Sequence, residues 1–145
     1  MKIEIITTPL TIDIYGFGSI AVNKDYAGTA FKLSGNMWQT LKEKDLKNKG
    51  KNIWVYEDGE KIFAGVELND DHVEVIELEH KVLSLTKYAY YKHIGSYGLI
   101  KQAGTNMRNE LNAQGYETEL PYIEIYGHWN NDETKCETEL FMSLK

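Results

Sequence analysis

The chain has 145 residues, 42% of them hydrophobic and 26% charged, a composition typical of one globular domain and not of a disordered chain. Its 16 basic and 22 acidic residues give a net charge of −6, which disfavours direct nucleic-acid binding because phosphates attract a basic surface. One cysteine excludes an internal disulfide, and no apolar run reaches the roughly 18 residues that a membrane-spanning helix needs.

The N-terminal residues 1–6 alternate polar and apolar and carry an early acid, Glu4. This pattern predicts a strand and not a signal peptide, so we expect a cytoplasmic protein without a membrane partner. Residues 2–15 are expected to add one or two strands ahead of the first main strand.

The first half of the chain then predicts a strand, a helix and a hairpin. A short strand-like run covers residues 19–22, and a helical pattern follows from about Ala27 to Asn48. Gly50 is expected to end this helix because glycine readily takes a left-handed conformation. The hairpin comprises a strand, a turn and a returning strand over residues 52–56, 57–60 and 61–68.

The second half predicts the same order of elements. A strand covers residues 82–93, and Ser96 is placed as the N-cap of a helix that Gly115 closes. The apolar stripe of that helix recurs at intervals of three and four residues: Tyr97, Ile100, Ala103, Met107 and Leu111. Two further strands are expected over residues 122–126 and 137–144.

The two halves also match residue by residue. A shift of 70 positions places Gly28 on Gly98 and Ile53 on Ile123 without a gap. We therefore expect a single domain over residues 1–145, built from pseudo-repeats over about 10–75 and 80–145. The expected fold class is α+β: duplicated β-α-β-β units that form a mostly antiparallel sheet, with two helices on one face and a ligand cleft between the units.

Strand parity assigns the residues of the two matched strands to faces, because successive side chains of a strand point to opposite sides. We expect the apolar set to pack under the helices: Ile53, Val55, Ile123 and Ile125. The other set would then face the shared cleft: Trp54, Tyr56, Glu124 and Tyr126.

Glu124 is the strongest candidate for a functional residue. A carboxylate among aromatic rings is costly to bury unless it is paired or used, so Glu124 suits a general base or the countercharge of a cation. Aromatic faces would attract the same cation. The alternative is that Glu124 lies on a solvated strand face and has no role.

Other patterns that carry chemistry are absent from the sequence. The four histidines lack the spacing of metal ligands, and Gly16-Phe17-Gly18 lacks the third glycine of a dinucleotide loop. Cys136 has no evident base, and no serine lies in a nucleophile elbow. We therefore expect no metal and no cofactor.

Two segments of the second half resemble a known family. Residues 87–97 form an aromatic strand followed by His-x-Gly-x-Tyr, and Pro121 opens a Pro-x-x-Glu-x-Tyr motif that contains Glu124. In this order and spacing the motifs resemble the GyrI-like domain, which is also called the AraC-type or bacterial transcription activator effector-binding domain. Such domains usually follow a helix-turn-helix domain, which this sequence lacks, so the resemblance is to a stand-alone form.

The resemblance implies a multidrug-binding pocket for hydrophobic, often cationic, drug-like molecules. Glu124 matches the buried glutamate that neutralises the ligand in such pockets. Aromatic side chains would supply the stacking walls, and the candidates are Trp38, Trp54, Tyr56, Tyr88, Tyr97 and Tyr126.

Two other functions remain open. Some stand-alone relatives are hydrolases that open the cyclopropane of DNA-alkylating toxins. The resemblance then implies, as catalytic residues, Glu124 with a tyrosine: Tyr88, Tyr97 or Tyr126, of which Tyr126 is taken as the candidate. A third reading is a protein-interaction module that acts on gyrase or on a transcription regulator. A protein partner or a homodimer is compatible with all three.

Overall fold

The computed structural model describes residues 1–69 and 77–145. Within these ranges the chain forms eight strands and two α-helices. The strands are β1 Glu4–Ile6, β2 Leu10–Ile20, β3 Ile53–Glu57, β4 Lys61–Val66, β5 Glu79–Leu85, β6 Tyr88–Ile94, β7 Thr118–Tyr126 and β8 Glu137–Leu144, and the helices are α1 Tyr26–Glu43 and α2 Ile100–Ala113. Neither helix of the described ranges is both long and apolar enough to cross a bilayer.

One antiparallel sheet contains all the described strands, in the order β1-β6-β8-β7-β3-β4-β2-β5. The order is symmetric about its centre, where β7 pairs with β3 and so joins the unit β6-α2-β7-β8 to the unit β2-α1-β3-β4. The edge strands are exchanged, because β1 pairs with the second unit and β5 with the first. The predicted α+β fold is therefore confirmed, while residues 70–75 of the first predicted repeat lie outside the described ranges.

Helix α1 ends five residues before the predicted Asn48, because the chain leaves the helix at Asp45 and not at Gly50. Asp45 has a left-handed φ of 48°, its N–H donates to the carbonyl of Lys42 at 3.2 Å, and the N–H of Leu46 donates to the carbonyl of Leu41 at 2.9 Å. This pattern of hydrogen bonds is a Schellman motif.

Helix α2 ends in the same way. Gly115 has a φ of 88°, and the N–H of Tyr116 donates to the carbonyl of Leu111 at 3.0 Å. The shift of 70 positions places Asp45 on Gly115, so the two units end their helices at equivalent positions with different residues.

Two strand predictions also differ from the structure. The single strand predicted over 82–93 is two strands, β5 and β6, which pair with different neighbours. The first strand of the first unit is β2, which covers Leu10–Ile20 and not only residues 19–22. Both differences arise because pairing across the sheet, not local alternation, sets where a strand begins and ends.

The helices lie on the face opposite to the one predicted from parity. Ile53, Val55 and Ile123 are fully buried in a cluster that contains residues of strands only. No helix residue of the described ranges belongs to this cluster, which is built from the side chains of strands. Helices α1 and α2 pack instead on the face that carries Trp54 and Glu124. The prediction that the Ile and Val set lies under the helices was therefore wrong.

Candidate functional site: a carboxylate in an aromatic cleft

A cleft of about 900 Å³ lies where the two units meet. Strands β3 and β7 form its floor, with Trp54 paired to Glu124 and Tyr56 paired to Tyr122 in the sheet register. The first two turns of α1 form one wall and the cleft-facing side of α2 forms the other. Both units therefore contribute residues to one cavity.

Three tyrosine hydroxyls bind the carboxylate of Glu124. Tyr56 donates to Oε1 at 2.9 Å, Tyr126 donates to Oε1 at 2.7 Å, and Tyr122 donates to Oε2 at 2.8 Å. Tyr122 and Tyr126 flank Glu124 at i−2 and i+2, so the alternation of β7 places all three side chains on one face. Tyr56 reaches the carboxylate from the neighbouring strand.

Glu124 is only 5% exposed. Among the residues that the structure describes, no Lys, Arg or His nitrogen lies within 4.0 Å of its carboxylate. Neutral hydroxyl donors thus replace water around the carboxylate without supplying a positive charge. The floor of the cleft is a site of negative potential in a poorly solvated environment.

The three tyrosines remain protonated well beyond their ordinary range. Burial raises the pKa of Tyr56, Tyr122 and Tyr126 above the usual 10.0, and the negative charge of Glu124 raises each further, both through space and through its hydrogen bond. Each hydroxyl therefore keeps its proton, continues to donate its hydrogen bond to Glu124, and is a weak acid.

Aromatic rings surround the carboxylate. The Trp54 ring centre lies 4.9 Å from that of Tyr126 and 5.2 Å from that of Phe31, with interplanar angles of 61° and 83° respectively. The indole N–H of Trp54 donates to Ser34 Oγ at 2.9 Å, which fixes the orientation of the ring. Tyr97 adds a further ring 5.6 Å from Tyr126. Such edge-to-face contacts hold the rings in defined positions.

The mouth of the cleft carries exposed aromatic and charged side chains. Phe31 on α1 is 67% exposed and Trp129, in the loop after β7, is 68% exposed, and both line the cavity. Among the described residues, the charged side chains that line it besides Glu124 are Lys24, Asp25, Lys101 and Arg108. In the described residues, no group of three His, Cys, Asp or Glu side chains is placed to hold a metal ion.

Five of the seven residues expected from the sequence meet in this cleft: Trp54, Tyr56, Tyr97, Glu124 and Tyr126. The other two do not line it. Trp38 lies on α1, packs against the cluster that contains Leu41 and Val66, and donates its indole N–H to Asn52 Oδ1 at 2.8 Å. Tyr88 lies on the opposite face of the sheet, where its ring centre is 5.8 Å from that of Phe141.

Sequence reasoning missed Tyr122, Phe31 and the α2 wall. Tyr122 was accessible from the strand parity already applied to Glu124, since it lies two residues earlier on the same strand. Helical spacing from Lys101 through Gly104 to Arg108 marks one side of α2. Only the packing of the helices shows that this side faces the cleft.

No family model matches the sequence, and no curated protein matches it. Solved structures do match. SAV2435 bound to tetraphenylphosphonium is 19% identical with a TM-score of 0.64, and the alignment covers 100% of this chain and 94% of that one. The C-terminal domain of EcmrR is 16% identical with a TM-score of 0.71, over 100% and 99% of the two chains.

A hydrolase from Listeria innocua is also similar, with 11% identity and a TM-score of 0.56 over 99% of this chain and 92% of that one. At these identities the likeness establishes the fold. The fold that the resemblance to GyrI-like domains implied is therefore confirmed.

Proposed function

We propose that this protein binds hydrophobic, cationic small molecules in the cleft, with Glu124 as the countercharge. The observation that carries the proposal is a buried carboxylate with three tyrosine donors and no described basic partner within 4.0 Å. A ligand with a positive centre supplies the charge that the described residues do not.

The size and lining of the cleft support the same ligand class. Its volume of about 900 Å³ falls within the range of drug-sized binding sites, about 300–1,000 Å³. Trp54, Tyr97 and Phe31 offer ring faces and edges to a flat or multiply arylated ligand. Such rings attract organic cations as well as apolar surface.

The similar fold of SAV2435, which was solved with tetraphenylphosphonium, suggests the first probe. This compound joins a positive phosphorus to four phenyl groups and so combines the two properties that the cleft favours. We infer that it binds here with its positive centre towards Glu124.

The experiment is a calorimetric titration of tetraphenylphosphonium into wild-type protein, Glu124→Gln and Glu139→Gln. Glu139 is a matched control, because it also accepts a tyrosine hydroxyl, from Tyr90 at 2.7 Å, but does not line the cleft. We expect Glu124→Gln to weaken binding at least about tenfold, equivalent to ~1.4 kcal/mol, and Glu139→Gln to change it less than about twofold. Equal affinity in wild type and Glu124→Gln, or no binding at all, contradicts the proposal.

Hydrolysis of a strained alkylating ligand is the second candidate, supported by the contact of Tyr126 with Glu124 in the cleft. Binding is favoured over hydrolysis for two reasons. First, three tyrosine hydroxyls already donate hydrogen bonds to the carboxylate that would have to activate water. Second, burial and the charge of Glu124 raise the pKa of Tyr126, so its hydroxyl is a weak acid. Mass spectrometry of a cyclopropane-bearing alkylator incubated with the protein distinguishes the two, since hydrolysis adds the mass of one water.

A further inference from the structure

The α2 wall of the cleft carries two positive side chains. Lys101 and Arg108 both line the cavity and lie seven residues apart, about 10.5 Å along the helix axis, on the side that also presents Gly104 and Thr105. Neither forms an ion pair with a residue of the described ranges.

The charged residues on the α1 side of the cleft differ from those on α2, because each of them already has a partner within the protein. Lys24 Nζ lies 4.0 Å from Glu60 Oε1, and Asp25 caps α1 by accepting the N–H of Gly28 at 3.0 Å. The α2 wall is therefore the part of the cleft whose positive charges lack a partner among the described residues.

Arg108 lines the same cavity as Tyr122 and Glu124 on the floor. Burial and Glu124 raise the pKa of Tyr122, and the Arg108 charge acts on the same hydroxyl in the opposite direction. Tyr122 in turn donates to Glu124 Oε2. One ligand can thus contact the negative floor and the positive wall together.

We propose that the ligands this cleft prefers are zwitterionic: aromatic cations that also carry a carboxylate or similar acidic group, which binds Arg108 and Lys101. The inference rests on the proposed function, since the positive centre of the ligand is taken to lie at Glu124. A ligand with a positive centre alone satisfies Glu124 but leaves both α2 cations unpaired and close to its own charge. An acidic substituent removes that repulsion and replaces it with a charge-assisted hydrogen bond to the guanidinium.

The probes are (4-carboxybutyl)triphenylphosphonium and its methyl ester, which share the same phosphonium centre and differ in one methyl group and in the negative charge that only the acid carries at neutral pH. Both are titrated into wild type, Glu124→Gln, Arg108→Gln and Lys101→Gln. Lys32→Gln is the matched control, because it removes one exposed charge from helix α1 at a position that does not line the cleft. Circular dichroism checks that each variant is folded.

We expect wild-type protein to bind the acid about three- to fivefold more tightly than the ester, in keeping with a partly solvated ion pair. Arg108→Gln should reduce that ratio to about one, Lys101→Gln should reduce it in part, and Lys32→Gln should leave it unchanged.

Two kinds of failure can be told apart. If both probes bind and both lose affinity in Glu124→Gln, but the ester binds wild type as tightly as the acid, the zwitterion proposal is overturned and the cation site stands. If neither probe binds, or Glu124→Gln has no effect on either, the proposed function fails and the zwitterion proposal fails with it.

Discussion

Trp54 and Glu124 lie directly opposite each other across strands β3 and β7, at the junction of the two units. They are also equivalent positions of the internal repeat, since the shift of 70 residues places one on the other. Because β3 and β7 pair at the centre of the symmetric strand order, each of these residues lies opposite its counterpart in the other repeat. Because one copy is an indole and the other a carboxylate, the two units contribute different chemistry at equivalent positions of the cleft floor.

The tyrosine donors should stabilise the folded protein. Hydrogen bonds to a charged group contribute about 1.5–3 kcal/mol, so replacing Tyr56, Tyr122 or Tyr126 with Phe should each lower the free energy of unfolding by about that amount. Urea denaturation measures the change. Tyr90→Phe, which loses a bond to the less buried Glu139, should cost less. If the three cleft variants lost no more unfolding free energy than Tyr90→Phe, the hydrogen bonds to Glu124 would not stabilise the fold as proposed.

Alkaline pH should unfold the protein through the same tyrosines. Burial and Glu124 raise the pKa of Tyr56, Tyr122 and Tyr126 above 10.0 in the folded state, so above pH 10 the unfolded chain binds fewer protons than the folded one. The contribution is present in full below pH 10 and is lost as the pH rises, at up to ~1.4 kcal/mol per pH unit for each tyrosine. Urea midpoints from pH 8 to 11 measure the slope, which Tyr122→Phe should make shallower. A stability that stays flat to pH 11 would contradict this account.

The hydrogen bond from Trp54 to Ser34 should couple helix α1 to the floor of the cleft. In Trp54→Phe the Ser34 hydroxyl loses its donor, and in Ser34→Ala the buried indole N–H is left without an acceptor. Each should destabilise by about 1–3 kcal/mol. In a double-mutant cycle the combined loss should fall short of the sum by about 1 kcal/mol, whereas additive losses would mean that the bond contributes nothing.

Adjacent residues of β7 should have separable effects, because they lie on opposite faces of the sheet. Ile123 is fully buried on the face without helices, so Ile123→Ala should cost about 2–4 kcal/mol of unfolding free energy. Its effect on tetraphenylphosphonium binding to the folded protein should stay below about threefold. Glu124→Gln should instead weaken that binding at least about tenfold. Ligand titration and urea unfolding of both variants measure these effects. If Ile123→Ala weakened binding as much as Glu124→Gln does, the assignment of the two residues to opposite faces would be contradicted.

Much of the fold could be predicted from local patterns. The final strand Glu137–Leu144 and the helix end at Gly115 occur where the sequence indicated, because caps and alternation depend on neighbouring residues alone. Ser96 caps the short 3-10 turn Tyr97–Leu99 directly ahead of α2, by accepting the N–H of Gly98 at 3.2 Å, and not α2 itself, whose N-cap is Leu99. The end of α1 was missed because Asp45 takes the left-handed conformation that Gly50 was expected to supply. A non-glycine residue can adopt that conformation when the following Leu46 packs against the helix it has left.

For the candidate site, the sequence by itself determined which residues share a face of each strand, and through the repeat it singled out Trp54 and Glu124 as equivalent positions. Only the tertiary structure decided which face the helices cover, and so which side chains the cleft contains. The physical reason is that both faces of the sheet carry buried apolar residues, one in a cluster of strand residues and the other against the helices, so apolar character in the sequence does not tell which face the helices cover. For the same reason Tyr88 and Trp38 resemble cleft residues in the sequence, while the charged α2 wall emerges only from the packing of one unit against the other.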